Sequence, residues 1–203
     1  MKTLIVTAHP SSQGFTHAIA GVIKEEREKK SGEVEILDLY KTEHKQDFLR
    51  FENIKELPKD PVRDAIQAKI SGSDEIIFIH PVWWISMPAI MKNFLDQNLT
   101  SHFAYQYING KRHGLLRGKT TRVYVTCDMP LWLYALLGFP FVPTWVVGVL
   151  IYCGLEVKNF SIFRMMNHRT PEGLKAHLDR VRRDIDKEPL WLKFVNFWGS
   201  RVQ

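Results

Sequence analysis

The chain has 203 residues, 45% hydrophobic and 25% charged, with a formal net charge of +6. That length suits one domain with a sizeable core, and the composition excludes a disordered chain and a polytopic membrane protein. The positive charge suits an anionic cofactor, a nucleic acid or a membrane surface and by itself selects none of them.

TLIVTA (3–8) is a short apolar, β-rich run, and residues 16–30 then have the composition of a helix. EVEILDLY (33–40) reads as a second strand, residues 61–70 as a helix and DEIIFIH (74–80) as a third, nearly continuously apolar strand. A helix over 88–99, a strand TTRVYVTC (120–127), a helix over 143–152, a strand EVKNFSIF (156–163) and an amphipathic helix over 170–185 complete the series. Strands alternating with helices predict an α/β fold, a flavodoxin-like three-layer sandwich with a five-stranded parallel sheet of order 2-1-3-4-5. In that winding a ligand sits outside the carboxyl ends of the strands, so the loops after Ala8, His80 and Cys127 are the places to inspect.

Several segments fall outside this rhythm. The connection 41–60 is long enough to be a lid or a partner arm, with Phe48 and Phe51 available to pack it down. EEREKK near the start places Glu25 and Glu26 four residues before Lys29 and Lys30, a solvated helix face. Residues 129–155 carry no charge and are long enough to cross a bilayer, but Pro130, Pro140 and Pro143 break the run, so a buried helix, an interface or a pocket wall is expected. The tail PLWLKFVNFWGSRVQ (189–203) places Trp191, Phe194, Val195 and Trp198 on one helical face, for packing or for contact with a membrane surface or membrane protein helped by Lys193 and Arg201. The expected division is a domain over 1–188 and an aromatic tail over 189–203.

Cys127 and Cys153 are far apart and in no metal-ligand pattern, so neither a disulfide framework nor a metal site is expected. The N-terminal apolar run is too short for a signal peptide. A cytoplasmic location is expected, peripheral to the membrane if the tail makes such a contact. No nucleic-acid partner is expected.

Two phosphate-binding motifs fail. AHPSSQGFT lacks the glycine spacing of a dinucleotide fold, and GLLRGKT (114–120) is one residue short of a phosphate loop and precedes a strand. The first strand leads instead into HPSSQGFTHA, a turn opening into a helix, suited to a phosphate or to ordinary capping by Ser12 or Thr16. After the third strand comes PVWWI, apolar and aromatic where a turn is normally polar, suited to wall in a flat heterocycle or simply to join the core.

HPVWWISMPAIMKNFLD (80–96) resembles the segment of the NAD(P)H:quinone oxidoreductase family with the pattern P-x-x-W-x-x-x-P-A-x-x-K. HFAYQY (102–107) with the strand after it, and AHPSSQGF, are similar to that family as well. The resemblance implies a homodimer with sites at its interface and a bound flavin, FMN in preference to FAD because the extra C-terminal region of longer FAD relatives is missing. It also implies NAD(P)H as cosubstrate and a quinone or similar flat electrophile as acceptor.

By the same resemblance His9, Ser11, Phe15, Thr16 and Ala18 hold the phosphate and ribityl chain, and Pro81, Val82, Trp83, Trp84 and Ile85 hold the ring. Thr126, Cys127, Asp128 and Met129 form the third flavin loop. There T-C-D-M-P replaces the T-T-G-G of many relatives, which puts an acidic group beside the flavin. Tyr134 stands where some members have a tyrosine assisting hydride transfer, without the accompanying histidine. A flavin-binding regulatory subunit of a membrane transport protein is the alternative, as in some members.

Overall fold

The computed structural model describes residues 1–41, 43, 45–53, 57–136 and 141–199. Five parallel strands form its centre: β1 (Lys2–Thr7), β2 (Glu33–Asp38), β3 (Glu75–Pro81), β6 (Thr120–Thr126) and β7 (Glu156–Phe163), in the order β2-β1-β3-β6-β7. This is the expected 2-1-3-4-5 winding. The numbering differs because a two-stranded hairpin, β4 (Tyr105–Ile108) and β5 (Lys111–Gly114), intervenes between the third and fourth strands of the sheet. Its turn is Asn109-Gly110, both at positive φ (51° and 75°), the backbone a two-residue hairpin requires.

Alternate residues of each strand face opposite layers. Leu4, Val6, Phe78, Val123 and Val125 face one core, shared with α2 (Pro61–Ser71), α3 (Ala89–Asn98) and the segment from α5 (Phe141–Trp145) through a π-helical turn at Val146–Ile151. Ile5, Ile77, Ile79 and Tyr124 face the other, packed by α1 (Phe15–Glu28) and α6 (Pro171–Asp184). Every residue of β3 is buried, which is why its sequence is apolar without alternation.

Helix starts arise from local chemistry. Asp60 caps α2 by accepting from the Val62 N–H at 2.9 Å, and Thr170 caps α6 by accepting from the Gly173 N–H at 3.2 Å, each with proline as the next residue. The remaining short helices are α4 (Leu131–Leu136) and α7 (Leu190–Gly199).

Several expectations are corrected. The 143–152 helix is α5 with the π-helical turn after it, and the uncharged 129–155 stretch buries Trp145, Val146, Leu150 and Ile151 while exposing Trp132, Leu136 and Val147. No described helix is long and apolar enough to cross a membrane. Phe48 and Phe51 are exposed and do not anchor the 41–60 connection. Polar groups of α3 do so: Asn93 donates to the Gln46 carbonyl at 2.9 Å, and Asn98 exchanges amide bonds with Gln46 at 2.7 and 3.2 Å. EEREKK is not wholly solvated, because Arg27 is buried in an ion-pair network with Glu75, while Lys29 pairs with both Glu25 and Glu26 at 2.9 Å. On α7 the inward residues are Leu192, Val195 and Asn196, and Trp191, Phe194 and Phe197 face outward with Leu190. The Trp198 side chain and Arg201 lie outside the described residues.

Candidate functional site

The loops after β1, β3 and β6 meet at the carboxyl end of the sheet, each tied to a neighbouring strand or loop. Ala8 donates to the Ile79 carbonyl at 3.0 Å, Val82 to the Thr126 carbonyl at 2.7 Å, and Cys127 to the Phe163 carbonyl at 2.8 Å. Each strand therefore passes its register into its loop.

In the first loop the His9 ring folds back on the backbone, accepting from or donating to Ser11 through Nδ1 at 3.0–3.1 Å. It lies so close to Gly14 that a Cβ there would stand 2.4 Å from Nδ1, so a larger residue would displace the ring. Gly14 is the N-cap of α1. Among the described residues no side chain caps this helix, neither Ser12 nor Thr16, and its first turn has no acidic residue. The opening N–H groups and the positive end of the helix dipole are thus left for an anion. Phe15 is held edge-on against Phe163 (6.2 Å) and His177 (6.3 Å).

In the second loop His80 is fully buried, its Nδ1 2.8 Å from the Pro81 carbonyl and its ring stacked on Trp145 at 5.4 Å. Burial holds its pKa down at about 4 against an ordinary 6.5. The tryptophan pair belongs to a two-residue turn. Trp83 and Ser86 exchange both backbone hydrogen bonds at 2.9 Å, with Trp84 and Ile85 at φ of 51° and 60°. Left-handed backbone is costly for L-residues and most of all for a β-branched one, so strain is stored in this turn. Trp83 is 42% exposed and Trp84 98% exposed.

In the third loop Asp128 accepts from Asn167 twice, from the backbone N–H at 2.8 Å and from the side-chain amide. Asn167 sits in the 3-10 turn Met166–His168, entered through Met165 at φ 59°. Burial pushes the Cys127 thiol up, and the nearby Asp128 charge adds to this.

Together these loops enclose a cavity of about 490 Å³. Of the residues anticipated from sequence, His9, Phe15, Pro81, Val82, Trp83, Thr126, Cys127 and Asp128 line it. Ser11, Thr16, Ala18, Trp84, Ile85 and Met129 are not in its wall. Ser11 acts through His9, Thr16 is buried with no hydrogen-bond partner for its hydroxyl among the described residues, and Ala18 is exposed on α1. The Tyr134 side chain lies outside the described residues. Sequence reasoning misses Gly14, the fourth loop, which supplies Met166 and Asn167, and Leu174 of α6. Gly14 is visible as the glycine before the helix; RMMNHR carries no comparable signal.

A second cavity, of about 520 Å³, opens beside α3 and the π-helical turn, with Phe48, Leu99, Tyr105 and Tyr152 in its wall. It lies away from the strand-end loops, and size alone does not make it the site of chemistry.

Residues 1–187 match the flavodoxin-like fold family. An uncharacterized NAD(P)H oxidoreductase of Haemophilus influenzae is 31% identical, over 88% of this chain and 91% of its own length. The NAD(P)H dehydrogenase [quinone] 1 of Rattus norvegicus is 28% identical, over 89% and 77%. The crystal structure of an FMN-dependent NADH-azoreductase from Bacillus anthracis in complex with FMN superposes with a TM-score of 0.68, at 15% identity, covering all of this chain and 99% of the other. The chain belongs to the flavodoxin-like family and, within it, to the NAD(P)H:quinone oxidoreductases, and it is an enzyme of that group.

Proposed function

We propose that the cavity binds FMN and that the enzyme passes reducing equivalents from NAD(P)H through it to a quinone or similar flat electrophile. The observation that carries this reading is the juxtaposition in one cavity of an uncapped helix start, at Gly14–Phe15, with a flat apolar wall, at Pro81–Trp83. FMN has that shape, a dianionic phosphate at one end and a planar ring at the other. The fold holds FMN in the Bacillus anthracis azoreductase. Bound there, FMN supplies the two-electron chemistry.

The chain's own residues then have distinct tasks. Backbone N–H groups opening α1 hold the phosphate, with Ser11 fixing the His9 ring. Pro81, Val82 and Trp83 wall the ring, and the strained turn through Trp84 and Ile85 keeps its backbone presented to the ring edge. Thr126, the neutral Cys127 thiol and Asp128 close the third side. By the family resemblance alone, Tyr134 would assist hydride transfer. The acceptor and the nicotinamide take the same apolar space in turn, and the second copy of a homodimer covers it.

Purification tests this directly. A yellow protein that bleaches with NADH or NADPH and regains colour with a quinone is expected. A colourless protein that takes up no FMN overturns the reading.

A second reading, contact with a membrane surface or membrane protein through the tail, is favoured by the outward row Leu190, Trp191, Phe194 and Phe197 on α7. Negligible turnover of quinones combined with recovery of the protein on lipid vesicles would favour it over the enzyme.

A further inference from the structure

Among the described residues, the wall of the 490 Å³ cavity contains one residue with a formal charge, Asp128; its other polar side chains are His9, Thr126, Cys127 and Asn167, with no lysine or arginine. Arg164 acts on Cys127 from nearby without entering the wall. Asp128 is exposed, and a free aspartate at such a position would sample rotamers that turn its carboxylate to water. It is not free. Asn167 grips one carboxylate oxygen with its backbone N–H at 2.8 Å and the other with its side-chain amide, and the left-handed residue Met165 aims the turn that makes this possible. A loop with glycines at this place, as in the T-T-G-G pattern, has no side chain to do the same.

The geometry points to Asp128 and Asn167 as a pair that fixes a negative charge in the cavity wall and lowers the reduction potential of the flavin held there. This rests on the reading that the cavity holds FMN. A hydride from NAD(P)H delivers two electrons and one proton to the ring and leaves NAD(P)+. At neutral pH the ring then carries one more negative charge than before. A fixed carboxylate in the same cavity opposes that added charge, which makes the ring harder to reduce and a stronger donor to the acceptor, where a quinone takes two electrons and one proton from the ring and a second proton from water. Asp128 touches the cavity, and Asn167 acts through it as a positioning residue.

The test is a redox titration of the FMN-loaded protein against a reference dye, with FMN affinity measured in parallel by fluorescence quenching. At a fixed poise Asp128→Asn is expected to raise the ratio of reduced to oxidised FMN roughly tenfold, about 30 mV for a two-electron couple. Asn167→Ala is expected to move it the same way by less, because the released carboxylate turns to solvent. Asp128→Glu, which keeps the charge, is expected to stay near the wild type. An unchanged or lowered ratio in Asp128→Asn, or an Asn167→Ala protein that titrates as the wild type, overturns the proposal while leaving FMN binding standing. Failure of the wild-type chain to take up FMN at all overturns both.

Discussion

At the scale of single residues, His80 shows how the sheet is joined to the site. It ends the central strand, its Nδ1–H is directed at the carbonyl of Pro81, which lines the cavity, and its ring stacks on Trp145 from the uncharged stretch. The fold accepts only the neutral imidazole, since burial lowers the pKa to about 4 from 6.5. Between these values the unfolded chain binds a proton that the folded one does not, so stability is fully present above pH 6.5 and is lost as pH falls toward 4. The loss amounts to roughly 3 kcal/mol. Urea unfolding at a series of pH values should show this decline, and His80→Phe, which keeps a flat ring against Trp145, should flatten that window relative to the wild type. An equally steep decline in the variant would place the titrating group elsewhere.

At the scale of elements, the sheet is locked at the end opposite the site. Glu75, at the start of β3, is buried and accepts from Arg27 of α1 at 2.8 and 3.0 Å and from Arg122 of β6 at 2.8 Å, while Arg27 also reaches Asp186 beyond α6 at 2.8 Å. One carboxylate thus joins two strands and a helix. Removing it leaves two buried guanidinium groups short of a counter-charge, so Glu75→Gln should cost about 3–5 kcal/mol. Denaturant midpoints would measure this, and a loss below about 1 kcal/mol would mean that water enters the site and solvates the arginines.

None of this network is legible in the sequence, where Glu75 looks like the polar start of a strand and Arg27 like part of a solvated face. The strands themselves are legible, because burial on both faces leaves apolar runs and the βα rhythm dictates parallel pairing. So are the three loops, since strand ends at a switch point are the places where a parallel sheet leaves room. What local sequence does not reveal is long-range: the β7–α6 turn bringing Asn167 to Asp128, and Asn196 of α7 bonding the backbone of Val157 at 2.8 and 3.1 Å to cover the sheet's edge strand. The Asn109-Gly110 hairpin escapes the strand-and-helix reading although its turn signal is local.

At the scale of the whole molecule, the uncharged stretch is the feature a single copy handles poorly. Trp132 is 68% exposed, Leu136 75% and Val147 54%, all within it, and Phe48 and Phe51 stand exposed beside the second cavity. Large apolar groups gathered on one chain segment call for a cover, and the commonest cover for a chain of this kind is a second copy in a twofold arrangement. The tyrosines point the same way, since Tyr107 and Tyr152 meet hydroxyl to hydroxyl at 2.7 Å on an exposed surface, with Arg112 over the Tyr152 ring at 4.6 Å. Sedimentation velocity should therefore give a particle of about twice the 23.7 kDa of one chain. Leu136→Asp, which places a charge on an exposed helix face and removes no core packing, should shift the protein to the single-chain mass without lowering its unfolding midpoint as monitored at fixed protein concentration by more than the loss of association explains. On the proposal that a second copy covers the acceptor's space, the monomeric variant should retain FMN and lose turnover with quinones at least tenfold, a loss of about 1.4 kcal/mol in transition-state binding. A wild-type chain that sediments as a single copy at all concentrations would leave those side chains facing water and rule out the homodimer.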